Sequence, residues 1–138
     1  MVWTMEREGM NMVYILVGLA GFIGAVFRYA LSVIITPINP AVFPLATLLI
    51  NWIGCFSLPL VTFYFFERYQ IRQIYRTAIS TGLIGSFTTF STVSVELVRL
   101  LEENQLFLAM LYLMMSLFGG IFMCYLGLIV SRKKELRC

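Results

Sequence analysis

Four long apolar stretches, separated by short polar segments, divide this sequence of 138 residues. A helix crosses the hydrocarbon core of a bilayer with about 20 predominantly apolar residues. Each stretch reaches that length, and we predict membrane-spanning helices at roughly Asn11–Thr36, Phe43–Phe66, Thr77–Leu100 and Gln105–Val130. These spans fill most of the chain. The pattern therefore predicts an all-α membrane protein with a single four-helix transmembrane domain over residues 1–138.

Composition narrows the possible functions. With 60% hydrophobic and 12% charged residues, the chain is too apolar for an ordinary soluble domain. The first span is longer than the apolar core of a signal peptide and contains Arg28, so we expect it to remain in the mature chain. The chain has no histidine, no carboxylate in the middle of a span and no Cys-x-x-Cys pair. These absences argue against a hydrolase, a zinc site and a proton relay, and we expect no enzymatic activity.

The third span carries a high density of hydroxyl groups. Eight residues within Ser80–Ser94 have one: Ser80, Thr81, Ser86, Thr88, Thr89, Ser91, Thr92 and Ser94. Lipid offers them no hydrogen-bond partner. One interpretation is a break in the helix near Gly82 and Gly85, where freed backbone groups and hydroxyls meet an ion. The other is a tightly packed helix whose hydroxyls bond across to neighbouring helices.

Two further polar residues stand alone within spans. Arg28 lies about two-thirds of the way along the first span, where its guanidinium must snorkel to the interface, pair with another group or line a water-filled anion vestibule. Asn51 in the second span has amide donors that suit an anion, although a buried asparagine also commonly joins two helices. The sequence leaves these alternatives open.

Local features complete the expected fold. A proline-rich connection over Thr36–Pro44 ends the first helix. Pro59 is expected to kink the second half of the second helix. Glu96 and Arg99, three residues apart at the end of the third span, are expected to form an ion pair at the membrane interface.

Three segments match the signatures of a known family. They read GlyPheIleGlyAlaValPheArgTyr at 21–29, ThrLeuLeuIleAsnTrpIleGlyCysPhe at 47–56 and GlyLeuIleGlySerPheThrThrPheSerThr at 82–92. The fourth span adds the matching Tyr112 and Ser116, and the chain has the family's length and order of segments. The sequence resembles the Fluc/CrcB family of fluoride channels over essentially its whole length.

The resemblance implies a dual-pore fluoride channel formed by two antiparallel four-helix subunits in the lipid bilayer. It implies a structural Na⁺ at the subunit interface, held by the main-chain carbonyls of Gly85 and Thr88, and no nucleic-acid partner. The fluoride pore is assigned by the same resemblance to Asn51, Phe90, Ser91, Thr92, Tyr112, Ser116, Arg28, Thr47, Phe87 and Val93. Val93 stands where many members have a second phenylalanine, and Pro59 stands where the family usually has glycine.

The residue types suit fluoride independently of the resemblance. Fluoride is small and strongly hydrated, so a pore must replace its water with donors such as the Asn51 amide, the hydroxyls and the Tyr112 O–H. The positive edge of the Phe90 ring can face an anion without holding it tightly. Two other classes are conceivable. A small multidrug exporter would need an acid in the first span, which has none, and a non-transporting membrane subunit would leave the hydroxyls unexplained.

Positive charge is concentrated on one side of the predicted topology. Four spans bring the N-terminus, the connection between the second and third spans, and the C-terminus to the same side. That side carries Arg7, Arg68, Arg72, Arg76, Arg132, Lys133, Lys134 and Arg137, and the other side only Arg99. By the positive-inside rule we expect both termini in the cytoplasm, at the cell membrane of a prokaryote. A fixed orientation favours an oppositely oriented homologue over a second copy of this chain as the dimer partner.

Overall fold

The computed structural model describes residues 2–38 and 43–135. Over these residues the helical elements are α1 (Val2–Ile38), α2 (Leu45–Arg68), α3 (73–87), α4 (Phe90–Glu102) and α5 (Leu106–Glu135), with α3 and α4 forming the third span. Four helices are long and apolar enough to cross a bilayer: Asn11–Thr36, Leu45–Arg68, Gln73–Glu102 and Leu106–Lys133. The protein is an all-α, multi-pass membrane protein, as the hydrophobic pattern predicted.

The helices are longer than their predicted spans. α1 begins at Val2 rather than Asn11, and α5 continues to Glu135 rather than ending at Val130. The hydrophobic pattern reports where a helix can meet lipid, whereas the backbone hydrogen bonds continue into the polar turns on either side. The predicted proline-rich connection after α1 falls partly on residues 39–42, which lie outside the described residues.

α2 changes its hydrogen-bonding pattern at Pro59. The segment Leu45–Pro59 is α-helical, Leu60–Phe65 is π-helical, and Phe66–Arg68 forms a last α-turn. Proline has no N–H to donate to the carbonyl one turn earlier, so the regular pattern is interrupted here. A widened π-turn carries the helix past Pro59, at the position where the sequence predicted a kink.

The third span is interrupted, as one of the two interpretations of its hydroxyl-rich sequence predicted. It is π-helical over Ala78–Ile84 and returns to an α-helical turn at Gly85–Phe87. Thr88 and Thr89 are extended, with φ of −84° and −147°. α4 then begins at Phe90. The break therefore lies at two threonines, and the two glycines that indicated it lie in the helical segment before it.

Glycines allow α1 to pack directly against the π-helical part of α3. A Cβ atom on Gly24 would collide with the carbonyl oxygen of Leu83, and one on Gly82 would lie 2.6 Å from the carbonyl oxygen of Val17. Both contacts are with backbone atoms, which cannot move aside as a flexible side chain can. Only residues without a side chain permit this approach.

A small apolar core joins α2, α4 and α5 next to the break. Its buried members are Leu48, Val93, Leu100, Ala109 and Tyr112. Beside this core, the indole N–H of Trp52 donates to the carbonyl oxygen of Met115 at 3.1 Å. The Trp52 ring also occupies the space in which a Cβ atom on Gly119 would lie. These contacts fix the position of α5 against α2.

The prediction of an ion pair between Glu96 and Arg99 is wrong. The Arg99 guanidinium contacts Glu103 instead, with 2.9 Å between Nε and Oε1. Both side chains of this pair are exposed, so it adds little to stability. Glu96 faces α2 and α5, where its carboxylate accepts two hydrogen bonds.

Candidate functional site

The side-chain amide of Asn51 holds the break in the third span. The backbone N–H of Thr89 donates to Asn51 Oδ1 at 2.9 Å, and Asn51 Nδ2 donates to the carbonyl oxygen of Thr89 at 3.0 Å. Asn51 Oδ1 thus replaces the helical acceptor that the Thr89 N–H lacks at the break. The structure confirms that Asn51 joins two helices, and a second Nδ2 proton remains for another acceptor.

The same arrangement frees two carbonyl groups. In a continuous helix the carbonyl of Gly85 would accept from the N–H of Thr89. The carbonyl of Thr88 would likewise accept from the N–H of Thr92. The first of these N–H groups donates to Asn51, and the second donates to the Thr89 hydroxyl at 3.2 Å. Within the described residues, only a long contact of 3.4 Å from Thr88 Oγ1 reaches the carbonyl of Gly85.

The hydroxyls that follow the break form a connected group. Thr89 Oγ1 accepts from the backbone N–H of Thr92 and so caps the first turn of α4. It also lies 3.2 Å from Ser91 Oγ and 3.0 Å from Thr92 Oγ1. Either oxygen in each of these pairs can be the donor, so the group can turn its protons toward an incoming acceptor.

A cleft of about 400 Å³ opens beside the break. It is lined by Asn51, Gly54, Cys55, Leu58, Ser80, Ile84, Gly85, Thr88, Thr89, Phe90, Val93, Leu113, Ser116 and Leu117. The Oγ atom of Ser116 is buried, and no group in the described part of the chain meets it at hydrogen-bonding geometry. Phe90 is 84% exposed, so its ring projects away from the core. The cleft thus combines spare donors with an aromatic side chain.

A smaller cavity of about 170 Å³ shares Thr89 with the cleft. Its lining consists of Arg28, Tyr29, Ser32, Thr47, Ile50, Thr89 and Thr92. The Nε atom of Arg28 is buried and has no hydrogen-bond partner among the described residues. A guanidinium keeps its charge in proteins, so a positive charge stands at this cavity. Arg28 therefore lines a cavity whose other walls carry several hydroxyl groups.

Glu96 links α2, α4 and α5 through two short hydrogen bonds. Thr47 Oγ1 donates to Glu96 Oε1 and the Tyr112 hydroxyl donates to Glu96 Oε2, each at 2.7 Å. Tyr112 is fully buried, and its only hydroxyl proton is committed to Glu96. The sequence reasoning missed this junction because a contact between separate spans leaves no signal in local spacing.

The structure separates the predicted ion-site residues into groups. The cleft brings together Asn51, Gly85, Thr88, Phe90, Val93 and Ser116. The smaller cavity brings together Arg28, Thr47 and Thr92. Ser91 is exposed beside Thr89, and Phe87 lines a separate apolar groove. Tyr112 lies in the core and is not among the described residues that line these three spaces.

Two residues outside the predicted set shape the cleft. Thr89 supplies both the backbone groups that bind Asn51 and the wall between the two cavities. Gly54 lets α2 approach the break, because a Cβ atom there would collide with Cγ2 of Thr88. The position of Gly54, three residues after Asn51 on the same helix face, is the sequence signal that points to it.

The arrangement offers ligands for small ions of both signs. Carbonyl oxygens without N–H partners can coordinate a cation, whereas amide, hydroxyl and guanidinium donors suit an anion. Among the described residues that line the cleft there is no carboxylate, so a cation here would be held by partial charges. The chemistry of the site is therefore suited to binding small ions.

Comparison with known proteins finds relatives along most of the chain. Residues 15–128 match the model of the family described as CrcB-like protein, Camphor Resistance (CrcB). Fluoride-specific ion channel FluC 2 of Geobacillus kaustophilus is 45% identical over 116 residues, which cover 84% of this chain and 90% of that protein. Fluoride-specific ion channel FluC 1 of Bacillus cereus is 47% identical over 121 residues, covering 88% and 84%. The FluC 1 protein of Moorella thermoacetica is 41% identical over 121 residues, covering 88% and 86%.

Proposed function

The chain belongs to the CrcB family, and on that premise we propose that it is a fluoride-specific ion channel. Its relatives of that name match it over most of both chains. Fluoride leaves the cytoplasm through it passively, down the electrochemical gradient, which lowers fluoride toxicity. The observation that carries this function is the break in the third span, where Asn51 and Ser116 have donors to spare beside two freed carbonyls.

In this proposal the cleft replaces the water around fluoride with protein donors. The second Nδ2 proton of Asn51 and the hydroxyl of Ser116 donate to the ion, and the edge of the Phe90 ring faces it. A few donors and an aromatic edge hold the ion weakly enough for it to leave, as conduction requires. Val93 forms an apolar wall at the position where many members have a second phenylalanine.

The cavity at Arg28 serves as the entrance for the anion. The Arg28 guanidinium has no ion-pair partner among the described residues, and its positive charge raises the local concentration of anions. The hydroxyls of Thr92 and Ser91 then pass the ion along the wall formed by Thr89, because all three belong to one connected group. Supporting this route, Thr89 lines both the entrance cavity and the cleft.

Thr47 and Tyr112 are also proposed pore residues, but their hydroxyls already have a hydrogen-bond partner in the structure. Both hydroxyls donate to Glu96, so neither has its proton available for the ion. Either hydroxyl can therefore serve the ion only after its bond to Glu96 is released. Phe87, in the last turn before the break, remains a proposed pore residue beside the apolar groove that it lines.

A structural Na⁺ is part of the proposal, held by the main-chain carbonyls of Gly85 and Thr88. Their fit to a cation is supported by the diversion of their usual N–H donors to Asn51 and Thr89. A bound Na⁺ would supply a fixed positive charge that joins two subunits. One such pair of carbonyls from each subunit would surround the ion.

The functional unit in this proposal is an antiparallel dimer in a prokaryotic cell membrane. The exposed ring of Phe90 supports a second subunit facing the cleft, since a channel wall is otherwise missing there. The bias of basic residues toward one side supports cytoplasmic termini. It also favours an oppositely oriented homologue as the partner, with a second copy of this chain as the alternative.

A flux measurement tests the function directly. Purified protein, reconstituted in liposomes with the partner that it needs, should release fluoride down its gradient while chloride is retained. A fluoride electrode and a chloride electrode in the same sample give both rates. Equal release of the two halides, or no fluoride release from assembled protein, would contradict the proposal.

A further inference from the structure

One end of the helix bundle carries a concentration of exposed positive charge. α2 ends at Arg68, α3 follows Arg72, and the last turns of α5 carry Arg132 and Lys133. All four side chains are exposed on the surface of the protein. Arg68, Arg72, Arg132 and Lys133 together form what we call the basic surface.

Packing contacts bring the basic surface to a single end of the bundle. α2 and α5 run in the same direction, because their contacts proceed from Trp52 with Gly119 to Pro59 with Gly127. The C-terminal ends of both helices, with their basic residues, therefore lie on the same side. The short connection between α2 and α3 keeps Arg72 there as well.

No carboxylate among the described side chains forms an ion pair with these four residues. Within the residues that the structure describes, the one ion pair is Arg99–Glu103, at the opposite end. Glu67 is the only carboxylate among the described side chains at the basic end, and it is exposed. Arg76 differs from its neighbours, since its guanidinium donates to two backbone carbonyls and lies over the ring of Phe66. The other arginines are left for an external anion.

Aromatic side chains indicate the depth of this surface in the membrane. Tyr69 and Tyr75 are 65% and 51% exposed, and Phe65 stacks on Tyr69 with ring centroids 6.4 Å apart. Exposed tyrosines are typical of the level at which lipid headgroups meet water. Arg68 and Arg72 flank Tyr69 closely in the chain, so the basic surface lies at headgroup level.

We propose that the basic surface binds the phosphate headgroups of anionic phospholipids, such as phosphatidylglycerol. A guanidinium forms paired hydrogen bonds with phosphate oxygens, and the Lys133 ammonium adds a point charge. A zwitterionic headgroup carries a cation beside the same phosphate, so we expect it to bind the basic surface less tightly than an anionic headgroup does. The binding concerns the outside of the bundle and does not depend on the ion that the protein conducts.

Spin-labelled lipids measure this binding. Labelled phosphatidylglycerol or labelled phosphatidylcholine is added to phosphatidylcholine vesicles that contain the full chain, and the fraction of label immobilised at the protein surface is determined. We expect a preference for phosphatidylglycerol that falls about 5-fold for each basic residue removed, in Arg68→Gln, Arg72→Gln and the double variant Arg132→Gln/Lys133→Gln. The charge-retaining variant Arg68→Lys/Arg72→Lys should keep most of the preference.

Arg99→Gln is the matched control, because it removes one positive charge from the opposite end of the bundle. It should leave the lipid preference unchanged. An equal loss in Arg99→Gln, or a wild-type protein without any preference, would overturn the proposal. Displacement of the labelled lipid by millimolar inorganic phosphate would overturn it too, since free phosphate would then be the ligand.

Discussion

Asn51 and Thr89 are joined by two hydrogen bonds, one in each direction, between a side-chain amide on α2 and the backbone at the break in the third span. The pair imitates the pattern that two neighbouring strands would form, and it uses one donor and the acceptor of the amide. A hydrogen-bonded amide cannot rotate freely, so its remaining N–H is held in a fixed direction. The same contact that stabilises the break thus orients a donor for the ion.

Substitution of Asn51 separates these two roles. Asn51→Asp keeps the acceptor for the Thr89 N–H but loses both N–H donors and introduces a negative charge. We expect fluoride release from liposomes to fall at least about 30-fold, since the lost donor and the new repulsion each cost on the order of 1–3 kcal/mol. Asn51→Leu loses both hydrogen bonds and should lower the thermal unfolding temperature as well. Normal flux in Asn51→Asp would remove the side chain from the pore.

Glu96 is expected to stabilise the protein strongly although it lies within a membrane span. Glu96→Ala leaves the hydroxyls of Thr47 and Tyr112 without their acceptor, which costs about 1–3 kcal/mol for each buried group. Thermal unfolding in detergent should show the loss as a lower midpoint. Glu103→Ala is the matched control, because it breaks an exposed pair worth less than about 1 kcal/mol. Equal midpoints for the two variants would show that the junction carries no stability.

Much of the fold follows from local sequence. Four apolar stretches are enough to give the spans, because a bilayer sets the length of any helix that crosses it. The break could be predicted because hydroxyls crowded next to glycines weaken a helix at a depth where lipid cannot compensate. In the cleft, Asn51 could be identified because an isolated polar side chain in a span needs a partner, whereas Ser116 was indicated by the resemblance to the family alone.

Other features depend on how the helices meet and have no local signal. Glu96 has Arg99 at a spacing that permits an ion pair, yet two hydroxyls from other helices compete for it successfully. The buried site offers short hydrogen bonds away from water, whereas the exposed pair is screened. Thr89 looked like one hydroxyl among eight, and only its extended backbone reveals that it binds Asn51.

Glycines on α1 should differ sharply in their tolerance of a methyl group. In Gly24→Ala the new Cβ collides with the backbone of Leu83, so α1 must move away from α3, at a cost of about 1–3 kcal/mol. Gly18→Ala is the control on the same helix, because nothing lies within 4 Å of its Cβ position. It should be neutral or slightly stabilising, since alanine favours helices. Thermal unfolding of both variants compares them, and a stable Gly24→Ala protein would contradict the close packing.

Sodium should be needed for assembly or activity. If the carbonyls of Gly85 and Thr88 hold Na⁺ between subunits, purification with N-methylglucamine in place of Na⁺ should reduce both the dimer fraction and fluoride release. Size-exclusion chromatography measures the dimer fraction, and the fluoride electrode measures fluoride release. Addition of Na⁺ should restore them. Full activity and an intact dimer after exhaustive exchange would exclude this site.

The orientation of the chain can be read from two matched cysteine variants. Gln73→Cys and Gln105→Cys place one exposed thiol at each end of the bundle, in a background that lacks Cys55, Cys124 and Cys138. A fixed orientation predicts that an impermeant thiol reagent applied to intact cells labels Gln105→Cys alone. Permeabilised cells should show labelling of both. Partial labelling of both variants in intact cells would instead support insertion in two orientations and a dimer of identical chains.

The π-helical segments Leu60–Phe65 and Ala78–Ile84 bear on how proteins of this kind can gain or lose residues. A π-turn closes its hydrogen bonds one residue further along than an α-turn, so each segment accommodates a residue that an uninterrupted α-helix would not. Deleting one residue from Ala78–Ile84 would return the segment to regular α-helical hydrogen bonding and would leave the helix on either side nearly in place. Single-residue gaps between relatives are therefore expected inside membrane spans at these two segments.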